Sequence, residues 1–394
     1  MLPKFLLLAF CLFFQDLLLD RRWPERTTAV APIEPKTLHG ALDSSLTKYY
    51  KYVNLAARAI YKNDFSSAIT CYDSAFLYKA NPNYVDVKNY ILLNSKYCLF
   101  SNNDAYIRML FTTKFIDSTL LFTVFPKRVF SAQNLISINK LQSKIYKTRP
   151  TDNALQKAMQ DLFVLYEEAI NNEAFEKPGP DSSKTAYQTR KTIHQQNAET
   201  FLRVYAREGF PTEEKVGVFY APGEEWATRI DLLLQQFLRT DKKESILAML
   251  QAELQRGNLH PARYAALLDY ARDNSKRPDQ THNLMNTTVI LVNAEAYRPF
   301  VYYSDSLMQL VNTNRLRIGL DSFHITQKQV ICQHFCRYAT ADSSIIAMAA
   351  YPKIDVYSYG VVKWAFEKEK QDLAAYKINT RKILQECKCV EKSY

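Results

Sequence analysis

Glycine is what this sequence is shortest of. There are eight in 394 residues, roughly 2% against a usual share of about 7%. Glycine supplies positive φ and lets a backbone approach a ligand closely, so phosphate-cradling loops and dinucleotide-binding turns need it in clusters. Here Gly40, Gly179, Gly209, Gly217, Gly223, Gly257, Gly319 and Gly360 are scattered, and neither GxGxxG nor GxxxxGK(S/T) occurs. GxSxG and HExxH are missing as well, which removes the commonest hydrolase and zinc-protease signatures.

Convergent metal ligands and catalytic sets are also scarce. The six histidines (His39, His194, His260, His282, His324, His334) show no metal spacing and no nucleophile partner, so each reads as a surface or satisfied core residue. Glu167-Glu168, Glu213-Glu214 and Glu224-Glu225 are adjacent in sequence, diverge on a helix, and are expected on solvated faces. Cys332-x-His334-x-Cys336 with Cys387-x-Cys389 has the residue types for zinc. On a helix, however, His334 points away from the two cysteines, and the second pair is too tight for C-x2–4-C spacing. These read as unpaired thiols, with a disulfide between the pairs as the alternative. Apart from Cys11 the cysteines number six, which an exported protein could pair, and Cys71 and Cys98 fall on helices that would be neighbours. No cofactor, metal or catalytic residue is expected.

A third deficit is local. Between Leu46 and Arg149 there is no glutamate, and 15 Lys and Arg face five Asp, a net of +10. Residues 150–394 hold 31 basic and 30 acidic side chains, so the formal +11 of the chain belongs to one region.

What is present begins with Lys4 and ten apolar residues, Phe5–Phe14, followed after Gln15-Asp16 by Leu17–Leu19. A basic start before a 7–15-residue apolar stretch is the pattern of a secretory signal and is too short for an ordinary spanning helix. Residues 1–19 are therefore read as a signal peptide or membrane anchor, which makes the protein exported or membrane-associated, periplasmic or envelope. Residues 20–43, with Pro24, Pro32 and Pro35, read as a linker.

From Tyr52 the chain runs Tyr-x2-Leu-Ala-x2-Ala, and after eight residues Ala68-x3-Tyr72-x2-Ala75. This resembles the tetratricopeptide repeat, W-x2-L-G-x2-Y followed by A-x3-F, with Tyr52, Leu55, Ala56, Ala59, Ala68, Tyr72 and Ala75 in order. Small residues let two helices approach, so Ala56 and Ala68 should face each other, with Asp64 capping the second helix after a break at Asn63. Val85–Phe100 and Asp104–Phe115 read as a second hairpin around Ser101–Asn103. Leu135–Tyr146 and Ala154–Glu173 would complete the stack. Residues 44–176 thus form an expected tetratricopeptide-like region, which specifies a scaffold and no ligand.

Lys177–Ser183 carries Pro-Gly-Pro and reads as a linker, leaving 184–394 as a second helical domain. Its expected helices are Thr185–Glu208, Glu225–Leu238, Lys243–Arg256 before Gly257, and Pro261–Arg272. Gly209-Phe210-Pro211 with Val216-Gly217, Leu232–Gln236, Ala265–Asp269, and Asn312 through Arg315 to Gly319-Leu320 resemble an uncharacterised bacterial domain that follows tetratricopeptide-like segments in exported proteins. That domain has Gln-His where this chain has Gln235-Gln236, and a glycine-containing phrase where this chain runs from Gln280 to Thr287 without one.

The expected fold is all-α: tetratricopeptide-like hairpins, then a second helical domain. The expected function is non-enzymatic binding of an acidic protein or peptide in a basic repeat groove. Lys48, Lys51, Arg58 and Lys62 fall on one side of the first helix as partner-binding candidates, near Leu55 at the edge of its packed face. An anionic membrane surface is the next partner and nucleic acid the least favoured. The alternative function is an enzyme of unknown reaction with its site in the C-terminal domain, which a pocket of converging titratable groups would favour.

Overall fold

Aspartates start the first helices. Asp43 accepts from Leu46 N at 2.8 Å and opens α1 (Ser44–Tyr61), and Asp64 accepts from Ser67 N at 3.1 Å and opens α2 (Phe65–Phe76). Each bond satisfies a donor that the helix itself cannot pair. α1 and α2 pack against each other with Ala56, Ala68 and Ala75 fully buried and Tyr72 beside them.

The computed structural model describes residues 42–62, 64–125, 127–145, 154–175, 180–221, 224–273, 288–292, 296–299, 305–323, 325–326 and 353–357. All belong to one compact unit, His39–Tyr394. Among the described residues thirteen α-helices dominate, an all-α fold. After α2 come α3 (Tyr84–Lys96), a 3-10 turn at Phe100–Asn103, α4 (Asp104–Thr112), α5 (Ser118–Val124), α6 (Ala132–Ile145) and α7 (Ala154–Phe175). Then follow α8 (Pro180–Glu208), the single turn α9 (Glu213–Val216), α10 (Trp226–Phe237), α11 (Lys243–Gln255), α12 (Pro261–Asp273) and α13 (Asp305–Arg317). The helix after the Pro-Gly-Pro segment starts at Pro180, five residues before the expected Thr185. Proline at a first helical position loses no intrahelical bond. Among the described residues no helix is long and apolar enough to cross a membrane.

Short strands add what the sequence pattern did not suggest. β1 (Phe219–Ala221) and β2 (Glu224–Glu225) form an antiparallel ribbon. β3 (Thr288–Val292) pairs antiparallel with β4 (Ala296–Pro299) and parallel with β5 (Lys353–Tyr357), in the order β4-β3-β5.

The face of α1 meets segments from far along the chain. Asn54 Nδ2 donates to the Gly319 carbonyl at 2.9 Å, and Arg58 Nε donates to Asp321 at 3.0 Å. Gly257 and Gly319, each just past a helix end with φ near +74° and +83°, lie against Leu46 and Tyr50. A side chain there would have to displace them, so close approach and left-handed φ both require glycine.

Cys71 lies on α2, but Cys98 falls just past the end of α3 with φ +57° and not on a helix as expected, and both are free. Cys332, His334, Cys336, Cys387 and Cys389, the apolar run Phe5–Leu19, and Gln280–Thr287 lie outside the described residues.

Candidate functional site

All five carboxylates of the basic region 46–149 are committed to the fold. Asp64 and Asp117 cap helices, Asp104 accepts from Asn134, Asp73 accepts from the Tyr90 hydroxyl at 2.6 Å, and Asp86 is buried beneath Tyr49. They keep their charge where they sit, and Asp64, exposed at the start of α2, feels Lys62 at the end of α1. Of the four candidates, Lys48 and Lys51 are exposed one turn apart, and the Lys48 ammonium lies 5.2 Å from the centre of the Tyr78 ring. Tyr78 in turn stacks on Tyr52, with ring centres 5.9 Å apart and planes 4° apart. Leu77 beside it is 83% exposed. Lys62 is exposed at the end of α1, about 21 Å along the axis from Lys48. Arg58 is half-buried and ion-paired with Asp321. Lys48 and Lys51 thus form one patch, from which Arg58 and Lys62 stand apart. Leu55 is half-buried.

A cleft of about 320 Å³ opens where the α2–α3 turn meets α9, the β2–α10 junction and the α11–α12 turn. Its wall includes Lys79, Asn83, Glu213, Glu225, His260 and Arg263. Lys79 Nζ donates to Asn83 Oδ1 at 2.7 Å and to the Gly257 carbonyl at 3.0 Å, and lies 5.2 Å from the centre of the Tyr49 ring. Burial pulls its pKa below the usual lysine value, and Glu213 and Asp86 offset that only in part. The Tyr49 hydroxyl donates to Asp86 and accepts from Asn83 N at 3.1 Å. Burial pushes Asp86 up to about 6 against the opposing effect of the Tyr49 bond.

Glu213 and Glu214 correct the expectation of a solvated, diverging pair. Both carboxylates reach the Lys114 ammonium, Glu213 at 2.8 Å, and that lysine side chain is only 1% exposed. α9 is one turn long, and a compact ammonium on a four-carbon stem can sit between two adjacent side chains. Burial alone would lower the lysine pKa, but the two carboxylates hold it above the ordinary value. Glu213 also accepts from Tyr84 N at 2.9 Å, at the positive end of α3.

On the opposite wall, Arg263 clamps Asp231 with three bonds of 2.7 to 3.1 Å. His260 Nδ1 accepts from Ala262 N at 3.1 Å, and burial with the nearby Lys79 and Arg263 charges brings its pKa down to about 3. It is a capping histidine and stays neutral. Glu225 differs from its neighbours: half-buried at the N-cap of α10, its carboxylate makes no cap bond and no ion pair among the described residues. Burial raises its pKa, and Lys88 and Arg263 counter this only in part.

Lys79 and Lys114 were not singled out by sequence, and Glu213, Glu214 and Glu225 were noted only as members of adjacent pairs expected on solvated faces. Nothing in their spacing marks them, because Lys114 meets Glu213 and Glu214, and Lys79 meets Gly257, only across about a hundred residues or more. Among the described residues no group of three or more His, Cys, Asp or Glu could hold a metal ion. Compared with known proteins, the chain matches no family model, no curated protein and no solved structure.

Proposed function

We propose that this protein is a non-enzymatic scaffold that binds an acidic protein or peptide along α1, through Lys48, Lys51 and the adjoining Tyr52–Tyr78 stack. The observation that carries this reading is the pair of outward lysines beside stacked tyrosines and the exposed Leu77, in a region whose own carboxylates are all engaged. Positive charge steers an acidic chain, and aromatic and aliphatic surface gives it something to bury. The tetratricopeptide-type reading of α1–α2 is supported by the complete burial of Ala56 and Ala68. An exported or membrane-associated location goes with it and rests on Phe5–Leu19. The test is fluorescence anisotropy with a labelled peptide of glutamates carrying two leucines. Binding should weaken sharply with salt and be lost in Lys48→Glu/Lys51→Glu. Equal affinity in wild type and that variant sinks the reading, and tighter binding of single-stranded oligothymidylate would assign the face to nucleic acid instead.

The cleft favours a second reading, an enzyme. Its titratable groups come mainly from residues 184–394, and perturbed ionisation in a concave site is what catalysis uses. The check is incubation with a small-molecule extract followed by mass spectrometry. A compound consumed by wild type and spared by Glu225→Gln supports the enzyme.

A further inference from the structure

Two opposite charges line the cleft without a contact ion pair among the described residues: Lys79, which feels Glu213 and Asp86 only through space, and Glu225, which feels Lys88 and Arg263 in the same way. Glu213 and Glu214 are neutralised in part by Lys114, Arg263 by Asp231 and Arg256 by Glu253. Lys79 hydrogen-bonds only neutral acceptors, Asn83 Oδ1 and the Gly257 carbonyl, and forms no ion pair among the described residues. The Glu225 carboxylate has neither hydrogen bond nor ion pair among them. Both line the same cleft, yet no ion pair joins them.

A half-buried carboxylate and a half-buried ammonium are each costly when unpaired, and a ligand supplying the complementary charge relieves that cost. A purely anionic ligand would meet Glu225, Glu213 and Glu214, whereas a purely cationic one would meet Lys79 and Arg263. A small molecule carrying both charges satisfies both walls. Val85, Val218 and Trp226 give the cleft an apolar part against which the rest of such a molecule can lie. Its volume, at the low end of ligand sites, suits a molecule of amino-acid or dipeptide size.

We propose that this cleft binds a small zwitterion, its ammonium group set against Glu225 and its carboxylate against Lys79. The site is separate from the α1 face, so it stands or falls independently of peptide binding there.

The experiment is isothermal titration of the full chain with L-alanine, L-leucine and glycylglycine, with propylamine and propionate as singly charged controls, each up to roughly 10 mM. At least one zwitterion should bind while neither control does, and the preferred one tells free amino acid from dipeptide. Glu225→Gln keeps the shape and removes the charge, and should weaken that binding about thirtyfold or more. Lys79→Met should do the same. Because Lys79 also ties the α2–α3 turn to Gly257, Glu225→Gln decides the matter if Lys79→Met fails to fold. No heat from any zwitterion, equal binding by the singly charged controls, or unchanged affinity in Glu225→Gln would each overturn the proposal.

Discussion

The Glu213 carboxylate accepts the backbone N–H of Tyr84 at 2.9 Å and the ammonium of Lys114 at 2.8 Å. One side chain thereby completes the start of α3 and neutralises a lysine with almost no access to water. Replacing both Glu213 and Glu214 by glutamine leaves that charge buried without its counter-ions, which should cost about 3–5 kcal/mol in urea unfolding. Lys114→Met should cost less. The two carboxylates it strands are each about a third exposed and can turn to water.

Ala68→Leu places three extra carbons against α1 at a position with no exposed surface. The expected loss is about 1–3 kcal/mol. Ser66→Leu, on the exposed side of the same helix, serves as the control and should leave the denaturation midpoint near that of wild type.

Gly319 and Gly209 separate backbone strain from crowding. Both have positive φ, so alanine at either meets the left-handed penalty of roughly 1–2 kcal/mol. An added Cβ at Gly319 would lie 2.9 Å from the Tyr50 Cβ, whereas at Gly209 it meets the mobile end of Lys215. Gly319→Ala should therefore destabilise the protein more than Gly209→Ala, and thermal melts of the two variants make the comparison.

Asp86 and His260 should tilt stability with pH in opposite senses. The folded Asp86 pKa is raised to about 6, so its contribution is complete below the unfolded value of 3.8 and is lost as pH rises through 6. His260 is depressed from 6.5 to about 3, so its contribution is present above 6.5 and is lost as pH falls toward 3. Asp86→Asn removes only the first effect. The stability advantage of wild type over this variant should shrink between pH 4 and pH 8, and an advantage that grows across that range contradicts the assignment. Urea midpoints at the two ends of the range provide the measurement.

Local chemistry settled a good part of this protein in the sequence itself. Apolar residues at three- and four-residue spacing place α7, α10, α11 and α12 to within a few residues. Asp64 announces its cap, and Gly257 marks the end of α11, because the bonds involved join residues three or four apart. The concentration of basic residues between 46 and 149 is likewise a property of composition alone. Short segments were not legible: α5 and α9 span only two turns or fewer, and the pairing of β3 with β5 links residues more than sixty positions apart. Tertiary structure alone decided that Arg58 meets Asp321, that Glu213 and Glu214 converge on Lys114, and that Lys79 and Glu225 share a cleft. Each of these depends on where distant helices lie in space, and no periodicity along the chain encodes it, whereas a helix needs only its own neighbours to bond.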